Sequence, residues 1–139
     1  MLKVAVIGAT GAVGQEFVIG LNKHPWFDLV QIASSERSAG KRYIDALRDP
    51  NTSLLKWHNK QSIPERIRDM VINRVDEINP KKVDLIFTAL ESEDAKMIEP
   101  KMASEVPVIS TAAAYRYEDD VPILIPGLND EHCELLNIQ

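Results

Sequence analysis

Cys133 is the only cysteine among 139 residues. An internal disulfide is therefore excluded, as is any Cys-x-x-Cys metal knuckle, and a reducing, cytoplasmic setting is expected. Long apolar runs are missing too. Met1 leads straight into "LKVAVIG", which is too short to span a bilayer and has no cleavage region behind it. Neither a membrane association nor an export signal is expected. Lys and Arg never gather into a run of five; "ERIRD" and "PKK" are short and diluted by acids, and the formal charge is −5. A nucleic-acid partner is not expected on that balance. Repeats and low-complexity tracts are absent. His24 and His58 have no thiol or carboxylate partner at a readable spacing and read as surface residues, so no metal site is expected.

What remains is an ordinary globular composition, 45% apolar and 27% charged, in a length that suits one domain over residues 1–139. Leu2–Gly8 is a nearly all-apolar run, as in strands of a parallel sheet covered on both faces. Ala12–Lys23 reads as a helix with Val13, Phe17 and Leu21 as its apolar stripe, ended by Pro25. Asp28–Ala33 reads as a second strand, Ser34–Lys41 as a polar loop and Tyr43–Leu47 as a short helix. Strands are expected at Met70–Val75, Val83–Leu90, Pro107–Thr111 and Val121–Ile125. Helices are expected at Ser92–Ser104, with Ala95, Ile98 and Met102 inward, and at Asn129–Asn137, with Asn129 as N-cap. Strands alternating with helices predict an α/β fold of the Rossmann type, doubly wound, with a mostly parallel sheet and helices on both faces. Ligands in such sheets lie beyond the carboxyl ends of the strands.

At the first of those ends stands "VIGATGAVG", with Gly8, Gly11 and Gly14 between a strand and a helix. Gly11 would let the backbone approach a pyrophosphate, and Gly14 would let the helix pack tightly on the strand. The helix N-terminus offers unpaired N–H groups to phosphate oxygens, and Thr10 adds a hydroxyl. A turn that uses glycine for its shape alone is the competing explanation. At the second end, Asp28 lies about twenty residues past Gly8, the interval of the ribose-binding acid, but it starts its strand rather than ending it. The strand ends in "SSERSAGK", where Ser34, Ser35, Ser38, Arg37 and Lys41 suit a dianionic 2′-phosphate. NADP is the expected cofactor; Glu36 keeps NAD in play, and a solvated turn with incidental charges is the third reading.

Four stretches, "GATGAVGQEFV", "ASSERSAGKRY", "VDLIFTAL" and "VPVISTAAAYRYEDDVPILIPGLN", together resemble the N-terminal half of the aspartate-semialdehyde dehydrogenases, nearest their archaeal and fungal branch. The resemblance covers nearly the whole chain and is loosest at Asn51–Asp76. It implies NADPH-dependent reduction of aspartyl phosphate to aspartate semialdehyde with release of phosphate, a step that feeds lysine, threonine and methionine synthesis. It implies cofactor contacts at Gly8, Thr10, Gly11, Ala12 and Val13, 2′-phosphate contacts at Ser35, Arg37 and Ser38, a strand end at Thr88, Ala89 and Leu90 against the cofactor, and a substrate-phosphate contact at Arg116. It also implies a second domain for catalysis and for assembly as a homodimer or homotetramer.

Two departures stand out. Thr111 replaces an asparagine that helps hold the nicotinamide end, and Gly127 replaces a glutamate. The reaction further needs a cysteine thiolate and a histidine base, which the family carries beyond the "PGLN" stretch. Cys133, inside the expected last helix with His132 immediately before it, reads as an inert, half-buried thiol, since adjacent helix residues do not face each other. No catalytic residue is therefore expected within the chain. A free-standing nucleotide-binding module, or the corresponding domain of a malonyl-CoA or N-acetyl-glutamyl-phosphate reductase, are the alternatives.

Overall fold

The computed structural model describes residues 1–137. Four strands, β1 (Leu2–Ile7), β2 (Phe27–Ala33), β3 (Leu85–Thr88) and β4 (Val108–Ser110), form one parallel sheet in the order β2-β1-β3-β4. The chain leaves β1 for β2 on one side and returns to place β3 on the other. β1 is therefore the point where the strand order reverses.

Side-chain alternation along β1 divides the core in two. Val4 and Val6 pack with Val18 and Leu21 from α1 (Ala12–Gly20) and its C-terminal turn, Tyr43 from α2 (Tyr43–Ala46) and Ile67 from α3 (Glu65–Arg68). Ala5 and Ile7 pack on the opposite face with Ile86 and Val106, against Ile98 and Met102 of α4 (Ser92–Ala103). Helices thus cover both faces, and that is why β1 carries no polar alternation from Val4 to Ile7.

Of the expected stripe on α1, Phe17 and Leu21 pack in the core but Val13 does not. Val13 is 50% exposed, while Gly14, Gln15 and Val18 turn inward. Gln15 is tolerated in the core because all its polar atoms are used. Its Nε2 donates to the carbonyls of Thr10 at 3.0 Å and Lys56 at 2.9 Å, and its Oε1 accepts the His58 N–H at 2.7 Å. Tyr43, also fully buried, donates its hydroxyl to the Ala9 carbonyl at 2.8 Å, and burial pushes its pKa up. Both residues fasten the glycine loop to the body of the domain.

Three expected elements are corrected. Met70–Val75 is no strand, because its neighbouring residues serve different partners. Ile72 bonds to Gly40 and Lys41, and Asn73 bonds to Ile32 and Ser34, which leaves isolated bridges instead of a ladder. Val121–Ile125 is not a strand either. Its backbone is taken up by the Asn129 side chain, which donates to the Ile123 carbonyl at 2.6 Å and accepts the Ile125 N–H at 2.7 Å. Asn129 therefore ties down a loop bounded by Pro122 and Pro126 rather than capping a helix with its side chain. The segment after it, Asp130–Asn137, is a 3-10 helix and not an α-helix. His24 is half-buried, its ring stacked on Phe27 at 4.8 Å, whereas His58 is exposed. Among the described residues no helix is long and apolar enough to cross a membrane.

Candidate functional site

Over the carboxyl ends of β1, β2 and β3 lies an open groove of about 620 Å³. Its floor is the glycine loop. Gly8 takes φ +84°, and a Cβ there would sit 2.3 Å from the Ala89 carbonyl oxygen. At Gly14 a Cβ would lie 2.1 Å from the Gly8 carbonyl oxygen and 2.8 Å from the Ala9 Cα. These two glycines are required by close packing of strand end, loop and helix. Gly11 is different. It has an ordinary extended backbone, and an added Cβ would meet only the Gly8 carbonyl oxygen, at 3.6 Å. Gly11 lines the groove, so the space its missing side chain leaves belongs to the groove.

Gly11 is also the N-cap of α1, and no side chain caps that end. The first-turn N–H groups, including those of Ala12 and Val13, have no carbonyl of their own helix to bond. An anion laid across Gly11 would meet those donors and the positive end of the helix. The loop is pinned from the other side as well. The Ala33 carbonyl accepts the N–H groups of Gly8 and Ala9, at 2.9 and 3.1 Å. The hydroxyls of Thr10 and Ser34 lie 2.6 Å apart, which joins the glycine loop to the end of β2.

Of the residues expected to hold a cofactor, Gly8, Thr10, Gly11, Ser35, Ala89 and Leu90 line the groove. Ala12 and Val13 follow Gly11 on the first turn of α1, exposed, and do not line the groove. Arg37 is exposed on the loop beyond Ser35 and does not line the groove. Ser38 is buried inside that loop, its N–H bonded to the Ser35 carbonyl. Thr88 is fully buried beneath the strand end. Its hydroxyl donates to Glu99 Oε1 at 2.5 Å, an oxygen that also accepts the Ser110 hydroxyl at 2.6 Å. Glu99 thereby clamps the ends of β3 and β4 together from α4. Thr111, standing where the family has asparagine, donates its hydroxyl to the Thr88 carbonyl at 3.2 Å.

Several groove residues have no counterpart in the sequence reading. Arg74 and Asp76 come from the segment after the Asn73 bridge, and Asp94, Met97 and Lys101 come from α4, beside Ile98, which the helical spacing already turned inward. The α4 set was recoverable, since positions 94, 97, 98 and 101 share one helix face. Arg74 was not, because Glu36 and the glycine loop that it faces across the groove are distant in sequence. Its Nε and Nη2 grip the Asp76 carboxylate at 3.0 and 3.3 Å, and Nη2 also reaches Glu36 Oε1 at 3.1 Å. These bonds hold the Asp76 carboxyl below and the guanidinium above their ordinary values, chiefly through the Asp76–Arg74 hydrogen bond.

Arg116 follows β4, exposed and outside the groove, with Nη2 3.5 Å from the Thr111 carbonyl. Gly127 takes φ +80° in a turn whose N–H bonds to Asp130, so the glycine at that departure serves backbone shape. Cys133 is exposed, not half-buried, because the 3-10 helix that carries it lies on the surface with no buried residue. It is not part of the groove. Asp28 sits at the amino end of β2, paired with Arg66 at 2.5 Å.

Comparison with known proteins agrees with this geometry. A family model described as "Semialdehyde dehydrogenase, NAD binding domain" matches residues 3–136. The aspartate-semialdehyde dehydrogenase of Methanothermobacter thermautotrophicus is 41% identical over 139 residues, which are all of this chain and 38% of that protein. The Saccharomyces cerevisiae enzyme of that name is 36% identical over 94% of this chain and 34% of its own length. A crystal structure of the Candida albicans aspartate-semialdehyde dehydrogenase with NADP superposes with a TM-score of 0.86 at 37% identity, over 96% of this chain and 36% of that one. The chain thus spans little more than a third of the length of these relatives, and with its glycine loop, parallel sheet and strand-end groove it belongs to the semialdehyde dehydrogenase NAD-binding domain family.

Proposed function

We propose that this chain is the NADP(H)-binding part of an aspartate-semialdehyde dehydrogenase, working in the cytoplasm. The complete enzyme reduces aspartyl phosphate to aspartate semialdehyde with release of phosphate, and assembles as a homodimer or homotetramer through its other domain. The observation that carries this reading is Gly11, whose missing side chain opens the groove beside an uncapped helix N-terminus. A pyrophosphate fits there, held by the amides of Ala12 and Val13 and by Thr10. Ser35, Arg37 and Ser38 are assigned to the 2′-phosphate, and Thr88, Ala89 and Leu90 to the strand end beneath the cofactor. Bound NADPH supplies the hydride; the residues of this chain bind it, orient it and shape the groove around it. Arg116 is assigned to the substrate phosphate, through a bidentate contact made when the substrate half is in place.

No thiolate nucleophile is assigned within the 139 residues. The chain alone is expected to bind NADPH and to give no phosphate-dependent reduction of NADP with aspartate semialdehyde. Joined to a substrate half it is expected to turn over. Arg116→Ala in the joined enzyme then raises the KM for phosphate or lowers kcat, by about tenfold on the loss of one charge-assisted contact, and leaves NADPH affinity intact. Turnover by the chain alone, abolished by alkylating Cys133, would overturn the assignment. A joined enzyme that is active on malonyl-CoA or on N-acetyl-glutamyl phosphate instead would move the domain to one of those reductases.

A further inference from the structure

The geometry points to Arg74 as a specificity-determining residue for the dinucleotide, with Glu36 as its displaceable counterion; this rests on the groove being a dinucleotide site. Ser34, Ser35 and Glu36 follow β2 directly and line the groove, which is the position where an α/β fold of this kind meets the adenosine ribose. Arg74 lines the same groove and is bridged to Glu36 at 3.1 Å. A guanidinium therefore stands at the ribose end of the groove, brought there by a segment far from the "SSERSAGK" loop in sequence.

The two ion pairs of Arg74 are unlike. Asp76 takes Nε and Nη2 in a two-point grip, which fixes the plane of the guanidinium. Glu36 takes a single contact at Nη2, and its side chain is 82% exposed. Among the described residues nothing accepts from Nη1. An exposed single-point pair is weak, whereas a guanidinium edge against a dianionic phosphate is a strong, charge-assisted contact. With a 2′-phosphate in the groove, Nη2 and Nη1 exchange Glu36 for phosphate oxygens, and the Glu36 carboxylate swings to solvent. With a dinucleotide that lacks the phosphate, Arg74 keeps Glu36, whose free oxygen is placed to accept from the ribose hydroxyls. The Arg74–Glu36 pair is thus a two-position selector at one end of the groove, acting alongside Arg37.

The test is fluorescence titration of the 139-residue chain with NADPH and with NADH. Arg74→Met is expected to weaken NADPH about tenfold or more, the cost of one charge-assisted contact, and to leave NADH within about twofold. Arg74→Lys, which keeps the charge and loses the fork, falls between. Glu36→Gln is expected to tighten NADPH and weaken NADH, and its effect on NADPH disappears when combined with Arg74→Met. A merely structural Arg74 would shift both nucleotides together. If the unaltered chain binds both and Arg74→Met leaves their ratio unchanged, the selector is wrong while the dinucleotide groove stands. If the unaltered chain binds neither, the groove assignment falls and the selector with it.

Discussion

Gly14→Ala is expected to cost about 3 kcal/mol or more of stability, at the upper end for overpacking, and roughly 10 °C in Tm. The single added methyl would have to occupy a point 2.1 Å from the Gly8 carbonyl oxygen and 2.8 Å from the Ala9 Cα. Both neighbours are backbone, so no rotamer change relieves the contact. Relief requires α1 to withdraw from the glycine loop, and α1 brings Gln15 and Val18 into the core. Withdrawal strains the Gln15 bonds to Thr10, Lys56 and His58 as well. Gly20→Ala, at the other end of the same helix, is the control. A Cβ there meets nothing within 4 Å, so it is expected to leave stability unchanged or raise it by about 0.5 kcal/mol. Thermal unfolding of the two variants beside the parent measures the difference. Equal melting of Gly14→Ala and the parent would contradict the packed loop.

Gly11→Val is expected to do the reverse, leaving the fold and removing the ligand. The Gly11 backbone, at φ −73° and ψ 165°, is a conformation valine adopts freely. The nearest atom to its new Cβ is 3.6 Å away. The branched side chain therefore enters the groove, where a pyrophosphate would cross the first turn of α1. Losing two or more charge-assisted contacts weakens NADPH on the order of a hundredfold or more. Tm is expected to stay within about 2 °C of the parent, as for a substitution that neither packs nor strains the core. Normal NADPH affinity in this variant would mean that the glycines serve the turn alone.

The contrast between these glycines shows where the sequence was legible. A glycine triplet after an apolar strand implied a phosphate loop, and the tight helix–loop contact at Gly14 follows the same rule. Strands β1 and β3 and helix α4 are written in contiguous apolar runs or helical spacing, and both signals are local. The misplaced features depend on partners far along the chain. Gln15 sits where a leucine would be guessed, because Lys56 and His58 come to its amide. Val121–Ile125 has the composition of a strand, but Asn129 takes its backbone groups. The same distance hid Arg74, whose partner Glu36 stands on the other side of α2 and α3 in sequence.

The decisive measurement is the affinity of the 139-residue chain for NADPH and for NADH, under one buffer, followed by quenching of Trp26 and Trp57 or by nicotinamide fluorescence. Saturable binding of NADPH is expected, about tenfold or more tighter than NADH, the advantage of one charge-assisted contact to the 2′-phosphate. Equal affinities would remove the 2′-phosphate assignment, and no binding of either nucleotide would contradict the groove as a dinucleotide site.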